Sequence, residues 1–208
     1  LEAPAVTVEV HLANGLPSFT LVGLAQTEVK EARERVRSAL INSGLSFPHN
    51  QRITVNLAPA DLPKDSGRFD LPIALGILAA SGQIDAARLD GWAFAGELSL
   101  SGELRPVRGA LAMAAALRGT PEPPALALPL HSAREAALAP GMAVYGARHL
   151  LDLVAQFLPV RDGPAETEGW MHMPPATPPA EPDYPDLADV KGQASAKRAL
   201  EIAAAGGH

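Results

Sequence analysis

The residues from Asp70 to Ala80 constrain the fold more than any other stretch, because they are apolar on every side of a helix. A helix without a polar face is stable in water only when other elements cover it on several sides. Pro72 falls in the first helical turn, where its missing N–H would have no helical partner in any case. We therefore predict a helix over residues 70–80 that is buried on several sides.

The chain begins with two short segments of strand character. Residues 6–12 alternate between polar and apolar side chains and are rich in β-branched residues, as in a strand with one buried face. Asn14-Gly15 follows, and residues 18–22 again have strand character. An Asn-Gly pair between two such runs is a strong hairpin signal, so we predict that the two strands pair antiparallel.

Residues 27–40 place apolar side chains at helical spacing and predict an amphipathic helix. Its other face carries a run of charged side chains, including Arg33, Arg35 and Arg37. We interpret this run as a face in contact with solvent. A third strand is predicted over residues 52–57, which are again rich in β-branched residues.

The second half of the folded part alternates between strands and helices. The predicted strands cover residues 92–98, 125–128 and 142–145, and the predicted helices cover residues 109–117, 132–137 and 149–157. Strands first, followed by strands that alternate with helices, indicate an α+β fold with a mixed α/β sheet.

Residues 159–185 contain 8 prolines in 27 positions, together with acidic residues and few aliphatic ones. Such a composition is typical of a linker. Its apolar residues 170–173 either pack loosely on a neighbour or form a specific docking site. We therefore predict a domain over 1–158, a linker over 159–185, and the start of a further module, mainly helical, over 186–208.

Composition excludes several classes of site. The chain has no cysteine, and no two of its six histidines have the i, i+4 spacing of a helical metal site, so we predict no metal centre. The net charge is −6, and residues 1–158 carry 13 basic against 15 acidic side chains, so a nucleic-acid contact would need a local basic patch. No apolar run is long enough to cross a membrane, and we expect a cytoplasmic protein.

The polar loop between the third strand and the buried helix, residues 56–72, is the richest in chemistry. A loop that enters a helix N-terminus suits an anion site or an activated nucleophile. The alternative is structural: Asp70 caps the helix and Arg68 pairs with a carboxylate. Ser66 would need a base, and Lys64 lies two residues away in a loop that we expect to be exposed. A Ser-Lys peptidase is therefore a minor alternative, and we predict no catalytic residue.

Residues 63–70, Pro-Lys-Asp-Ser-Gly-Arg-Phe-Asp, are similar to the nucleophile segment of Lon proteases. Residues 96–102 and 106–109 resemble the Lon stretch that leads to the catalytic lysine. In this correspondence Arg68 stands at the serine position and Leu111 at the lysine position. The resemblance implies a Lon-like fold without peptidase activity.

A closer resemblance is to the ComM/YifB family of magnesium-chelatase-like AAA+ ATPases. It is carried by residues 14–17, 22–24, 33–37, 53–61 and 67–75 of the first part, and by residues 189–193 and 196–200 of the last part. The resemblance implies a hexameric motor that binds DNA and promotes branch migration during recombination and natural transformation.

The same resemblance implies a nucleotide site in the complete protein, which would bind ATP and Mg. Val190, Gly192 and Gln193 would lie near the adenine, and the phosphate-binding loop would follow the end of this chain. We therefore expect no cofactor on residues 1–208 alone.

Four basic residues of the first part are candidates for contacts with DNA phosphates or with neighbouring subunits: Lys64, Arg68, Arg105 and Arg108. The alternative is that this part is a structural oligomerisation domain without DNA contact.

Overall fold

The computed structural model describes residues 3–23, 27–62, 64, 67–159, 168–175 and 186–206. The chain forms two compact units, residues 1–176 and residues 177–208. The first unit combines sheets and helices, which confirms the predicted α+β class. In the described part of the chain, no helix is long and apolar enough to span a membrane.

The first sheet contains β1 (Thr7–Ala13), β2 (Ser18–Val22) and β3 (Arg52–Ala58), in the order β1-β3-β2. β3 pairs antiparallel with β1 and parallel with β2. The predicted β1–β2 hairpin is therefore wrong, because β3 lies between the two strands. β3 buries every second residue, whereas β1 and β2 are only half-buried and suit the edges.

The parallel pairing of β2 with β3 needs a crossover, which α1 (Thr27–Asn42) provides. α1 buries Ala32, Val36, Ala39 and Leu40 in the main core. α2 (Asp70–Ala80) has the predicted bounds, and most of its residues are buried, as its sequence predicts. Its Gly76 lies against β1, where an added Cβ would come within 2.5 Å of Val10 Cγ2.

The second sheet contains β4 (Trp92–Phe94), β7 (Ala125–Pro129), β8 (Val144–Ala147) and β9 (Met171–His172), in that order. The first three strands are parallel, and β9 is antiparallel to β8. The intervening helices are α3 (Ala110–Arg118), α4 (Leu130–Ala136) and α5 (Leu150–Val154). Apart from the strand predicted over 92–98, the predicted strands and helices of this part are present, with bounds that shift by up to three residues.

The predicted strand 92–98 is interrupted, which corrects the sequence analysis. β4 ends at Phe94, and Glu97–Leu98 forms β5, which pairs with β6 (Leu104–Arg105) in a separate two-stranded sheet. At the break, Gly96 donates to the Arg68 carbonyl and accepts from the Leu71 amide, at 2.9 and 3.0 Å. The backbone leaves the sheet here because it bonds to the start of α2 instead.

Residues 168–175, which we call the strap, lie within the predicted linker but are ordered against the second sheet. β9 extends that sheet, and the amide of Met173 donates to the Val144 carbonyl at 2.8 Å. The Trp170 ring stacks on Tyr145 with centroids 5.0 Å apart and also meets Trp92. Residues 170–173 therefore pack on the second sheet through defined backbone and ring contacts.

The second unit contains a 3-10 turn (Leu187–Asp189) and α6 (Ala194–Gly206). Gly192 and Gln193 both have positive φ, 70° and 54°, and turn the backbone sharply into the helix. The Gln193 carbonyl accepts from the Lys197 amide at 3.0 Å, which joins this turn to the first turn of α6.

Candidate functional site

The loop that the sequence singles out enters α2 through a 3-10 turn, Gly67–Phe69. Asp70 was expected to cap the helix, but it is the first residue of α2 and its carboxylate lies 0% exposed in the core. Its partners come from other elements. The Arg35 Nε donates to Oδ2 at 2.6 Å, the Arg35 NH2 group donates to Oδ1 at 3.0 Å, and the Leu98 amide donates to Oδ2 at 3.1 Å.

Arg35 therefore does not belong to the solvated face of α1, which corrects a second expectation. Its side chain is only 20% exposed and joins α1 to the start of α2. The hydrogen bond to Asp70 raises the pKa of Arg35. Burial raises the pKa of Asp70, against the opposing effects of Arg35 and of the Leu98 amide.

Glu97 and Arg105 extend this pair into a charged cluster. The Arg105 guanidinium lies 3.6 Å from the Glu97 carboxylate. Glu97 also lies over Gly67, where a Cβ would come within 2.7 Å of the Glu97 side chain. The cluster joins α1, the 3-10 turn, α2, β5 and β6. Its chemistry is that of ion pairing, which positions elements.

The structure brings two of the four basic candidates together. Lys64 and Arg68 line a cleft of about 740 Å³ between the first sheet and the second. The Lys64 side chain is 1% exposed, and its Nζ donates to the Pro59 carbonyl. The expectation that Lys64 is exposed is therefore wrong, because the loop folds its ammonium group back onto the end of β3.

The other two basic candidates are not among the residues that line this cleft, although Arg108 precedes the lining residue Gly109. Arg105 belongs to the charged cluster, and its side chain is 62% exposed. Arg108 is exposed in the turn before α3. Val190, Gly192 and Gln193 lie in the second unit and are all exposed.

The Ser-Lys peptidase stays a prediction, because its serine is not among the residues that the structure describes. Arg68 and Leu111 occupy the two positions that correspond to the Lon dyad, and Ser66 lies outside the described residues. His149 is structural: its Nδ1 accepts from the Leu151 amide at 3.1 Å and caps α5. Among the residues described, no group of His, Asp or Glu side chains has the arrangement of a metal site.

Sequence reasoning missed a groove of about 430 Å³ beside α1. It lies between β2, the exposed face of α1 and the loop that leads into β3. We call it the arginine groove and define it by its lining residues: Pro17, Ser18, Phe19, Arg33, Glu34, Arg37, Phe47, Pro48, His49, Gln51 and Ile53. The sequence feature that could have indicated this groove is the i, i+4 spacing of Arg33 and Arg37. We interpreted the charged run that contains them as a face in contact with solvent.

Comparison with known proteins defines the class. Residues 8–123 match the family described as subunit ChlI of Mg-chelatase, and residues 186–208 match the family described as magnesium chelatase, subunit ChlI. Because the first match spans more than half of the chain, the chain belongs to the ChlI family.

The relatives place it more closely within that family. The chain is 51% identical over its whole length to the competence protein ComM of Haemophilus influenzae. It is 47% identical to the protein YifB of Salmonella typhimurium and 46% identical to YifB of Escherichia coli, again over its whole length. It is a member of the ComM/YifB group, and it spans 40% of the ComM sequence and 39% of each YifB sequence.

Proposed function

We propose that this chain is part of a hexameric AAA+ ATPase of the cytoplasm that acts on DNA, as a branch-migration motor in recombination and natural transformation. The observation that carries the proposal is the 51% identity, over the whole chain, to a protein named for competence. The ChlI match of residues 186–208 supports the assignment of the second unit to the ATPase module.

In this proposal the complete protein binds ATP with Mg, and the second unit contributes to the adenine end of the site. Val190, Gly192 and Gln193 are exposed, and two of them form the turn with positive φ. An exposed turn with positive φ lets the backbone approach a ligand closely, which suits the edge of a planar base.

The first unit has an accessory role and performs no hydrolysis. Its charged cluster ties Asp70 to Arg35 and Glu97 to Arg105, so these carboxylates are engaged in ion pairs. Arg108, Arg105 and Arg68 are proposed to contact phosphates or a neighbouring subunit. Lys64 is withdrawn from this set because its side chain is buried.

The test is ATP hydrolysis by the protein extended to the length of its relatives, with and without branched DNA. We expect hydrolysis that DNA stimulates several-fold, and its loss when the lysine of the phosphate-binding loop is replaced by alanine. A rate of hydrolysis that DNA does not change would contradict the DNA part of the proposal. The absence of hydrolysis would contradict the whole proposed function.

A purely structural oligomerisation role is the second candidate, and one observation favours it. Ile41 and Leu100 are 51% and 55% exposed, and the Asn42 side chain, which follows Ile41, donates to the Leu100 carbonyl at 2.7 Å. Exposed apolar side chains mark a contact surface where they form a contiguous patch, and these two would contribute to one. Analytical ultracentrifugation of the 208-residue chain, with Ile41→Ser/Leu100→Ser beside the wild type, separates this role, since only a scaffold must self-associate.

A further inference from the structure

The arginine groove concentrates positive charge on one face of α1. Arg33 and Arg37 are four residues apart and are both exposed, so they stand on successive turns of the same helix face. Arg33 NH1 lies 3.4 Å from the Phe19 carbonyl, and the Arg37 guanidinium lies 5.9 Å from the centroid of the Phe47 ring. Both guanidinium groups are therefore held beside the groove.

The groove also contains two aromatic rings next to the arginines. The rings of Phe19 and Phe47 lie 6.2 Å apart, and both are half-buried against the main core. The backbone around Phe47 is fixed by a turn in which the His49 amide donates to the Phe47 carbonyl at 2.7 Å. A fixed, half-exposed ring beside guanidinium groups is the combination on which an unstacked base can stack.

The charge of the groove differs from that of the whole chain. Its lining includes two arginines and one acid, Glu34, while the chain has a net charge of −6. Arg52, at the start of β3, is also exposed and follows the lining residue Gln51. A local cationic site in an acidic protein fits an anionic ligand, and arginine is suited to phosphate because its planar fork binds two oxygens.

We propose that the arginine groove binds single-stranded nucleic acid, with phosphates on Arg33 and Arg37 and a base against Phe47. This inference rests on the proposed function and deepens it by naming a DNA contact surface. A duplex would offer phosphates but hides its base faces, so the ring of Phe47 would have no partner. An acidic peptide would satisfy the arginines but not the ring.

The test measures the anisotropy of a fluorescein-labelled oligothymidylate titrated with the 208-residue chain, at several salt concentrations. For Arg33→Ala/Arg37→Ala we expect binding at least about tenfold weaker, and a salt slope reduced by about 0.7 for each lost phosphate contact. The matched control is Arg118→Ala/Arg134→Ala, which removes the same charge from exposed positions on α3 and α4 and should change the affinity less than about twofold.

Two further variants test the details. Glu34→Gln removes the one acid of the lining and should tighten binding about twofold, in the direction opposite to the arginine variant. Phe47→Leu keeps an apolar side chain against the core but removes the ring, and we expect a loss on the order of fivefold or more. A thermal melt of each variant checks that the fold is retained.

The outcomes separate this proposal from the proposed function. If the wild type binds and the double arginine variant binds equally well, the groove is excluded while DNA action of the whole protein stands. If Phe47→Leu has no effect and polyglutamate displaces the oligonucleotide, an acidic peptide is the ligand and the proposal is overturned. If the 208-residue chain does not bind, the same substitutions in the extended protein decide: unchanged DNA binding there overturns the groove alone, whereas no DNA binding by the extended protein overturns both proposals.

Discussion

The guanidinium of Arg35 binds both carboxylate oxygens of Asp70, at 2.6 and 3.0 Å, although the two residues lie 35 positions apart. The pair joins α1 to the first residue of α2, the helix with the most apolar surface. The Leu98 amide adds a third bond to the same carboxylate. One ion pair thus fixes three elements around the polar loop.

Replacing Arg35 with methionine should destabilise the first unit by about 3 kcal/mol, because it leaves a buried carboxylate without its ionic partner. Arg35→Lys should recover only part of the lost stability, since an ammonium group cannot bind both carboxylate oxygens in the way that a guanidinium does. The measurement is urea unfolding of each variant. Arg118→Met, at an exposed position on α3, is the control and should stay within about 0.5 kcal/mol of the wild type.

The effect of Arg35→Met should depend on pH. Burial already raises the pKa of Asp70, and removal of Arg35 removes an opposing effect, so the pKa should rise further. A group whose pKa is higher in the native state contributes stability at acid pH, and this stability is lost as the pH rises through the native pKa. The stability difference from wild type should therefore be larger at pH 7 than near pH 4. A difference that does not change with pH would contradict this account.

Gly76→Ala should destabilise the protein by about 1–3 kcal/mol, although alanine favours helices over glycine. The new Cβ would lie 2.5 Å from Val10 Cγ2, and the β-branched valine has little freedom to turn away. A double-mutant cycle with Val10→Ala tests this reason. Additive effects of the two substitutions would show that the Gly76–Val10 contact is not the cause.

Trp170→Ala should release the strap from the second sheet. It removes the stacking on Tyr145, at 5.0 Å and 14° between the rings, and the contact with Trp92. Hydrogen exchange of the Met173 amide, which bonds to Val144, should accelerate by about tenfold or more, as expected for local opening. Trp170→Phe keeps a ring and should lie between the alanine variant and the wild type. If exchange is unchanged in Trp170→Ala, the stacking does not hold the strap.

Local patterns predicted the elements well where burial is one-sided or complete. The bounds of α2 followed from its apolar residues, and α1 followed from its amphipathic spacing. The pairing of β1 and β2 could not be predicted in this way. An Asn-Gly turn favours a hairpin locally, but the strongly buried β3 gains more by taking the central position between them.

The errors at the candidate site have a common physical origin. Asp70, Arg35 and Lys64 are charged, and a charged residue in a sequence is expected at the surface. Their burial depends on partners that are distant in sequence or on backbone carbonyls, as for Arg35 with Asp70 and Lys64 with Pro59. The periodicity of apolar residues in the sequence does not indicate such partners. The charged cluster could therefore be identified only from the three-dimensional structure.

The strap also determines where the first unit ends. Without residues 168–175, the backbone groups of β8 that now bond to β9 would form an open strand edge, and open edges invite pairing with other molecules. A shortened protein that stops at residue 158, the end of the first domain as predicted from the sequence, would therefore be prone to aggregate. Expression of the first unit alone should include the tryptophan and the two residues of β9.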